Sequence, residues 1–464
     1  MMFRDLPRYD QYQEASGWVQ TVPSHWGWEP ARTLFSERKV SGHIGEELLS
    51  VTIGRGVIKQ ADLLSATSKK DSSNLDKSKY KYVEPGDLVY NKMRAWQGAA
   101  GGSQYRGIVS PAYIVIRPRS GLMDYFHHLL RTPAFATEAE RWSYGTTSDQ
   151  WSLRPEHFKM IRFPVPPVEE QAAIVKYLAH ANARIDNAIA AKRRLIALLE
   201  EQRSGIVNSI VLGHRIGGEL RQEPGHAWLE AVPTDWDVAP LKRYWTVTDC
   251  KHLTVPFTDE GSPLASVSQA QRFLLDLSDA KLTDQESYEN LIEGGRKPQK
   301  GDLIYCRNVG VGAAAVVETE ETFAMGQDVC LLRSRDQNPY FLNHYLQSSA
   351  MQAQLELILV GSTFRRINVE DVRGLVIVVP SVAEQNRLVE QINQETEPLA
   401  QAVRKAQLEI GLLLEFRTRL VAEVVTGQVD VRAVAETLPD PPMPDVSLDE
   451  DGTDLDDLLG HEDD

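Results

Sequence analysis

Residues 91–98 combine side-chain types that proteins use to contact nucleic acid. Lys92 and Arg94 carry positive charge, Trp96 offers an aromatic face and Gln97 offers an amide. Lysine and arginine pair with phosphate or guanine, whereas asparagine and glutamine form paired hydrogen bonds with adenine. The loop directly follows an apolar run, so we expect a strand to present it. An ordinary charged surface loop remains the alternative from these residues alone.

Other candidate contacts lie at matching places in the two halves of the chain. Arg307 and Asn308 follow the second apolar run of the same type. Small hydroxyl residues beside glycine can offer N–H and O–H groups to a phosphate, although simple turn chemistry explains the same pattern. The residues of this second type are Thr146, Thr147, Ser362 and Thr363, the last two followed by Arg365 and Arg366.

Motifs of enzyme chemistry are absent from the sequence. No phosphate-binding loop, dinucleotide fingerprint, HExxH motif or nucleophile–base constellation is found. The three cysteines, Cys250, Cys306 and Cys330, have no CxxC spacing and no histidine cluster beside them, so we expect buried thiols and no metal. We therefore expect a binding or scaffolding protein that holds no cofactor of its own.

The charge of the chain is unevenly distributed. The net charge is −15, but 12 acidic residues and no lysine or arginine lie between Glu436 and Asp464, which leaves 50 basic against 53 acidic residues in the rest. A nearly neutral body can carry local basic surfaces, and phosphates respond to local potential. We find no apolar signal sequence and no 18-residue apolar run, so we expect no membrane span and a cytoplasmic protein.

The sequence repeats itself after about 214 residues. Steps of 214 lead from Gln171 to Gln385 and from Gly213 to Gly427. A period this long indicates a duplicated domain plus helix rather than a solenoid. Other matching pieces are Val22-Pro23-x-x-Trp26 with Val232-Pro233-x-x-Trp236, and Gly86-Asp87-Leu88 with Gly301-Asp302-Leu303.

Short apolar runs separated by turn residues predict an α+β domain in each half. We expect strands at 49–53, 88–90, 113–116, 303–305, 314–317 and 329–332, and short helices at 125–130 and 340–346.

Two long helices give the clearest pattern. Apolar residues spaced by 3, 4 and 7 form one stripe over residues 174–210 and an equivalent stripe over 388–424. A helix of about 40 residues is roughly 60 Å long, too long for a compact domain. We expect the two helices to pack together as a coiled coil; the alternative is that each helix covers its own domain. Pro398 predicts a kink or restart.

These patterns divide the chain into segments. We expect a polar leader at 1–15, a first domain at 16–165, a first long helix at 166–213 and a linker at 214–225. A second domain at 226–379, a second long helix at 380–432 and a disordered acidic tail at 433–464 follow.

Together these motifs resemble the DNA-specificity subunits of type I restriction–modification systems. The Pro-Pro-x-x-Glu-Gln-like helix starts, the Gly-Asp-Leu strands, the Gly-Thr/Ser-Thr turns and the Val-Pro-x-x-Trp openings carry the resemblance, which covers about residues 15–432. The resemblance implies two tandem target-recognition domains joined by two long antiparallel helices. Each domain would read one half of a split, asymmetric site in double-stranded DNA, and the helices would set the gap between the halves.

The resemblance also implies partners for a chain that is itself non-catalytic. Two methyltransferase subunits and motor/nuclease subunits would join it, and S-adenosylmethionine, ATP and Mg²⁺ would belong to those subunits. Within this resemblance we expect the helix starts to contact partners, through Glu170, Gln171, Glu384 and Gln385. A DNA-binding adaptor of a related phage-defence methyltransferase assembly and a protein–protein scaffold remain alternatives.

Overall fold

The computed structural model describes residues 6–66, 76–145, 151–229, 231–308, 310–359 and 366–440. It divides into two compact units, one made of residues 1–192 with 408–464 and the other of residues 193–407. Each unit holds one α+β domain and one half of each of two long helices. The units are therefore interleaved in sequence, since the end of the chain returns to the unit that contains its beginning.

The first domain consists of short strands and short helices. Its strands are β1 (Tyr12–Glu14), β2 (Thr21–Pro23), β3 (Gly27–Pro30), β4 (Phe35–Glu37), β5 (Leu49–Thr52), β6 (Gly56–Lys59), β7 (Lys81–Val83), β8 (Leu88–Asn91), β9 (Ala100–Gly102), β10 (Gly107–Val109), β11 (Tyr113–Pro118) and β12 (Arg162–Val165). Its helices are α1 (Ala31–Leu34), α2 (Gln60–Ala66), α3 (Met123–Leu130), α4 (Pro133–Arg141) and α5 (Pro155–Phe158), and the long helix α6 (Val168–Val211) follows. The central sheet is antiparallel with the order β4-β11-β8-β9.

The second domain repeats this plan. Its strands are β13 (Leu220–Arg221), β14 (Val232–Pro233), β15 (Asp237–Pro240), β16 (Thr246–Asp249), β17 (Ser262–Ala265), β18 (Leu282–Thr283), β19 (Leu303–Cys306), β20 (Ala314–Val316), β21 (Ala324–Met325), β22 (Val329–Arg333) and β23 (Val376–Val379). Its helices are α7 (Val267–Ala270), α8 (Gln285–Ile292), α9 (Pro339–Leu346), α10 (Ser349–Leu359) and α11 (Val369–Gly374), followed by the long helix α12 (Val382–Val425) and by α13 (Arg432–Thr437). Its central sheet has the order β16-β22-β19-β20, again antiparallel. The expected strands and short helices are confirmed to within a few residues.

The repeated Gly-Asp pair forms the turn that begins the central strand of each sheet. Asp87 accepts a hydrogen bond from the Glu84 backbone N–H at 2.9 Å and pairs with Arg117 at 2.9 Å. Asp302 pairs with Arg333 at 2.6 Å in the second domain. Both carboxylates are buried. A buried carboxylate is stable only when it is paired and hydrogen-bonded, so this motif serves the fold.

The two long helices pack in antiparallel fashion within each unit. In the first unit, Ile174 of α6 shares a hydrophobic core with Val424 of α12. In the second unit, Ile210 of α6 shares a core with Leu388 of α12. Residue numbers rise along one helix where they fall along the other, which confirms the predicted antiparallel pair. No helix in the described ranges is long and apolar enough to cross a membrane.

Each long helix ends on the opening segment of a domain. Gly427 follows α12 with a left-handed backbone (φ +74°), and a Cβ built on it would lie 2.4 Å from Pro23 Cδ. Gly213 follows α6 with φ +77°, and its Cβ would lie 2.5 Å from Pro233 Cδ. Only glycine adopts this conformation without strain and leaves room for the proline ring. In each half of the repeat, the repeated glycine therefore packs against a Val-Pro-x-x-Trp segment: Gly427 against Pro23, and Gly213 against Pro233.

Three sequence expectations differ from the structure. The predicted polar leader contains β1, which pairs with β2, and a buried Tyr9. Residues 433–437, at the start of the predicted disordered tail, belong to α13, because Ala435 is buried in the core of the first unit. Helix α12 continues through Pro398 without the expected restart, because 44 residues of packed helix outweigh one lost backbone hydrogen bond.

We predict that Gly427→Ala destabilises the protein by roughly 2–4 kcal/mol, because the methyl group meets a rigid proline ring and the backbone is left-handed. Gly411→Ala is the control inside α12, the helix that Gly427 follows, because a Cβ at Gly411 meets nothing within 4 Å. This control should stabilise by about 0.5–1 kcal/mol because alanine favours helix. Urea denaturation followed by circular dichroism measures both, and equal stability of the two variants would contradict the contact.

Candidate nucleic-acid interface

The loop after β8 in the first domain is held by its own side chains and exposes a cation. Asn91 Oδ1 accepts a hydrogen bond from the Met93 backbone N–H at 3.0 Å, and the Trp96 indole N–H donates to the Met93 carbonyl oxygen at 2.9 Å. The Trp96 ring meets the Trp151 ring edge-on with centroids 5.4 Å apart. Trp96 is half-buried and anchors the loop, whereas Arg94 is exposed.

A basic pocket of about 580 Å³ lies beside this loop. Lys92, Lys81 and Arg154 are in its wall, and Glu156 is the one acidic residue among the described lining residues. Burial lowers the pKa of Lys81, with Glu37 opposing and the charge of Lys92 adding to the shift. Three cations in one pocket repel one another, so an anionic group that entered would be stabilised.

The other candidates of the first domain are only partly described. Gln97 is half-buried, and its Oε1 has no hydrogen-bond partner within the part of the chain that the structure describes. Thr146 and Thr147 lie outside the described residues. Their neighbour Gly145 lines the basic pocket.

The equivalent loop of the second domain is built differently. Arg307 is only 3% exposed, and its guanidinium pairs with Asp249 at 2.9 Å. The prediction that Arg307 reaches DNA is not supported by this placement, because both its burial and its carboxylate partner keep it from a groove. Asn308 forms an isolated antiparallel β-bridge with Arg366. The half-exposed side chain of Arg366 pairs with Asp328 at 3.2 Å. Ser362, Thr363 and Arg365 lie outside the described residues.

The glutamines at the helix starts face inward and hold the fold. Gln171 is 1% exposed; its Oε1 accepts from the Leu122 backbone N–H at 2.8 Å, and its amide donates to the Pro166 carbonyl oxygen at 2.9 Å. Gln385, also buried, accepts from the Asn338 backbone N–H at 2.9 Å in the second domain. Leu122 and Asn338 are the N-caps of α3 and α9. The prediction of partner contact is therefore wrong for both glutamines.

Glu170 is also occupied inside the protein. Its carboxylate accepts a hydrogen bond from the Tyr9 hydroxyl at 2.5 Å and contacts His25 Nε2 at 2.8 Å. Burial, followed by this hydrogen bond, raises the pKa of Tyr9 well above its usual range. Glu170 is 5% exposed, so the expected partner contact is wrong here as well. Glu384 is half-buried at the surface, where it pairs with Arg387 at 2.6 Å.

One group of possible metal ligands was missed in the sequence. Asp249, Cys250 and His252 place a carboxylate oxygen, a thiol sulfur and an imidazole nitrogen within 4.8 Å of one another. The Asp-Cys-x-His spacing was the available signal, but a search for paired cysteines and histidine clusters does not find it. The other two thiols are buried; burial raises the pKa of Cys306 to about 12 and that of Cys330 further still.

Comparisons with known proteins agree with the resemblance drawn from the motifs. No family model matches the chain. The EcoKI type I restriction enzyme specificity subunit of Escherichia coli (strain K12) is 23% identical over 339 residues, covering 69% of this chain and 70% of that protein. The MjaVIII type I restriction enzyme specificity subunit of Methanocaldococcus jannaschii is 20% identical over 378 residues, covering 76% of this chain and 83% of that protein.

Solved structures give the same answer for the fold. A chain from a study of the assembly and conformational transition of the type I restriction–modification system matches with a TM-score of 0.56 at 16% identity. The match covers 88% of this chain and 99% of the other. The chain therefore shares the fold of that solved chain. The resemblance to type I specificity subunits is confirmed.

We predict that Gln171→Met destabilises the protein by roughly 1–3 kcal/mol, because the Leu122 N–H loses its buried acceptor. The control is Glu169→Gln, two positions earlier on an exposed side chain, which should change stability by less than about 0.5 kcal/mol. Chemical denaturation measures both. A Gln171→Met variant as stable as the unaltered protein would show that this amide does not hold the fold.

Proposed function

We propose that this chain is the DNA-binding specificity subunit of a type I restriction–modification complex, with each domain reading one half of a split, asymmetric site. One observation carries the proposal. The two domains share the order of the central sheet and the Asp–Arg turn, yet their equivalent loops expose different charges. Two related but different surfaces suit a target with two different halves. The similarity to curated specificity subunits supports the same function.

The first domain carries the stronger case for DNA contact. Its pocket brings Lys81, Lys92 and Arg154 together, and Arg94 is exposed on the adjoining loop. Cations at this density suit the phosphate backbone, which supplies the electrostatic part of binding. The amide of Gln97 lies next to them and suits a base edge. In the second domain, Asn308 and Arg366 take the corresponding place.

Partner subunits bind along the long helices in this proposal. Leu408 and Leu412 of α12 are exposed in the first unit, and Leu195 and Leu198 of α6 are exposed in the second. Exposed leucines on a helix surface suit contact with another protein. We infer that two methyltransferase subunits and motor/nuclease subunits join the chain in the cytoplasm. S-adenosylmethionine, ATP and Mg²⁺ would be bound by those subunits.

We predict that Lys92→Ala with Arg94→Ala lowers affinity for duplex DNA by roughly tenfold or more and reduces its salt dependence, because two phosphate-facing charges are lost. The matched control is Arg404→Ala with Lys405→Ala, which removes two exposed charges from α12. Fluorescence anisotropy with a random-sequence duplex at two salt concentrations measures both pairs. Equal losses would indicate binding by overall charge, and an unchanged affinity would exclude this loop as the contact.

We predict that the purified chain alone transfers no methyl group and hydrolyses no ATP. Mixing it with methyltransferase subunits should produce site-specific methylation and tighter DNA binding. Methyl transfer by the isolated chain would contradict the proposal. DNA binding that methyltransferase never alters would indicate a separate DNA-binding adaptor, and absence of DNA binding under both conditions would indicate a protein scaffold.

A further inference from the structure

The proposed function makes no use of the acidic residues that follow Asp440. Residues 441–464 contain ten acidic residues and no lysine or arginine, and six of the ten fall within residues 449–457. At about 3.3 Å per residue, an extended chain with that spacing carries roughly one negative charge every 5 Å, against about one phosphate every 3.4 Å along a DNA strand. The segment therefore offers a charge density within about a factor of two of that of DNA.

The acidic segment starts from a fixed point on the first unit. The Asp440 carboxylate pairs with Lys176 Nζ of α6 at 2.9 Å, and the Pro439 carbonyl oxygen lies 2.8 Å from His180 Nε2 on the same helix. Just before these residues, α13 packs into the core of the first unit through Ala435. These contacts determine where on the first unit the acidic residues begin.

The basic pocket of the first domain belongs to the same unit and lies within reach. Residues 1–192 and 408–464 form this unit, and a body of roughly 250 residues has a radius of gyration of about 18 Å and so a diameter of about 50 Å. Residues 441–464 span up to about 80 Å when extended. Because the segment and the pocket belong to one chain, their effective concentration is on the order of millimolar, so even a weak contact is populated.

The pocket supplies cations that an acidic segment can pair with. Lys81 Nζ donates to the Tyr113 carbonyl oxygen at 2.6 Å, and among the described residues Lys81, Lys92 and Arg154 form no salt bridge. A carboxylate that enters therefore breaks no ion pair of the described residues, and it relieves the repulsion between the three cations. The volume of about 580 Å³ has room for more than one acidic side chain.

We propose that the acidic residues between Asp445 and Asp464 bind in the basic pocket of the first domain and compete there with DNA. The contact follows from charge and reach, and only the competition rests on the proposed function. Phosphate–cation attraction contributes to the binding of every DNA sequence. The segment therefore lowers the affinity of the first domain for all duplexes by the same factor, and DNA must displace it before it can bind.

A fluorescein-labelled peptide of residues 441–464 tests the contact directly, without DNA. Its receptor is the full-length chain with a neutralised segment, which carries Asp449→Asn, Glu450→Gln, Asp451→Asn, Asp454→Asn, Asp456→Asn and Asp457→Asn. We expect the peptide to bind this chain about tenfold or more tightly than the unaltered chain, whose own segment competes.

Pocket and control variants of the neutralised chain show where the peptide binds. Adding Lys92→Ala with Arg154→Ala should abolish peptide binding, because two of the three pocket cations are lost. Adding Arg404→Ala with Lys405→Ala, which removes two exposed charges from α12, should leave it unchanged. Circular dichroism confirms that each variant is folded.

Fluorescence anisotropy with a random-sequence duplex measures the competition. Neutralising the segment should raise affinity for the duplex by about tenfold or more. In a chain that already carries Lys92→Ala with Arg154→Ala, the same neutralisation should change affinity by less than about twofold, because the segment no longer has a pocket to occupy. An equal gain in both chains would show general charge repulsion and would overturn the proposal.

The peptide measurement separates failure of this inference from failure of the proposed function. A peptide that binds none of these chains, or binds as well after Lys92→Ala with Arg154→Ala, would overturn the contact even if the protein binds DNA. Pocket-dependent peptide binding by a chain that binds no duplex would support the contact, while refuting the proposed function and the competition with it.

Discussion

The contact between a helix-ending glycine and a domain-opening proline is the constraint on which the rest of the structure depends. Gly427 lies against Pro23 in the first unit, and Gly213 lies against Pro233 in the second. Each contact requires a left-handed backbone and the absence of a side chain. Because α12 begins in the second unit and ends in the first, the Gly427 contact closes the first unit from segments at opposite ends of the chain. The C-terminal part of the chain is therefore structural for the first domain.

The start of each long helix is fixed by a second, polar contact. Gln171 joins the helix to the N-cap of α3, and Gln385 does the same for α9. A buried amide offers both a donor and an acceptor, and here both are used inside the domain. Within each unit, the start of one long helix is therefore fixed by a buried amide and the end of the other by glycine packing. This scaffold leaves the loops between strands free to differ.

The loops differ in a way that the shared scaffold does not dictate. After β8 the first domain exposes Arg94 and places Lys92 in a basic pocket, whereas after β19 the second domain buries Arg307 against Asp249. The residues that follow equivalent strands therefore include a surface cation in the first domain and a buried ion pair in the second. In our proposal this divergence lets one duplicated fold recognise two different half-sites.

The sequence by itself determined the duplication, the strands around Leu88 and Leu303 and the paired apolar stripes of the helices, because periodicity and turn residues are local properties. It did not determine that Gln171 lies against Leu122, or that Arg307 is enclosed by Asp249 and its neighbours. The type of a polar residue does not reveal whether its side chain contacts water, a partner protein or the protein interior. Only the tertiary structure decides this, because the groups that satisfy it come from distant parts of the chain.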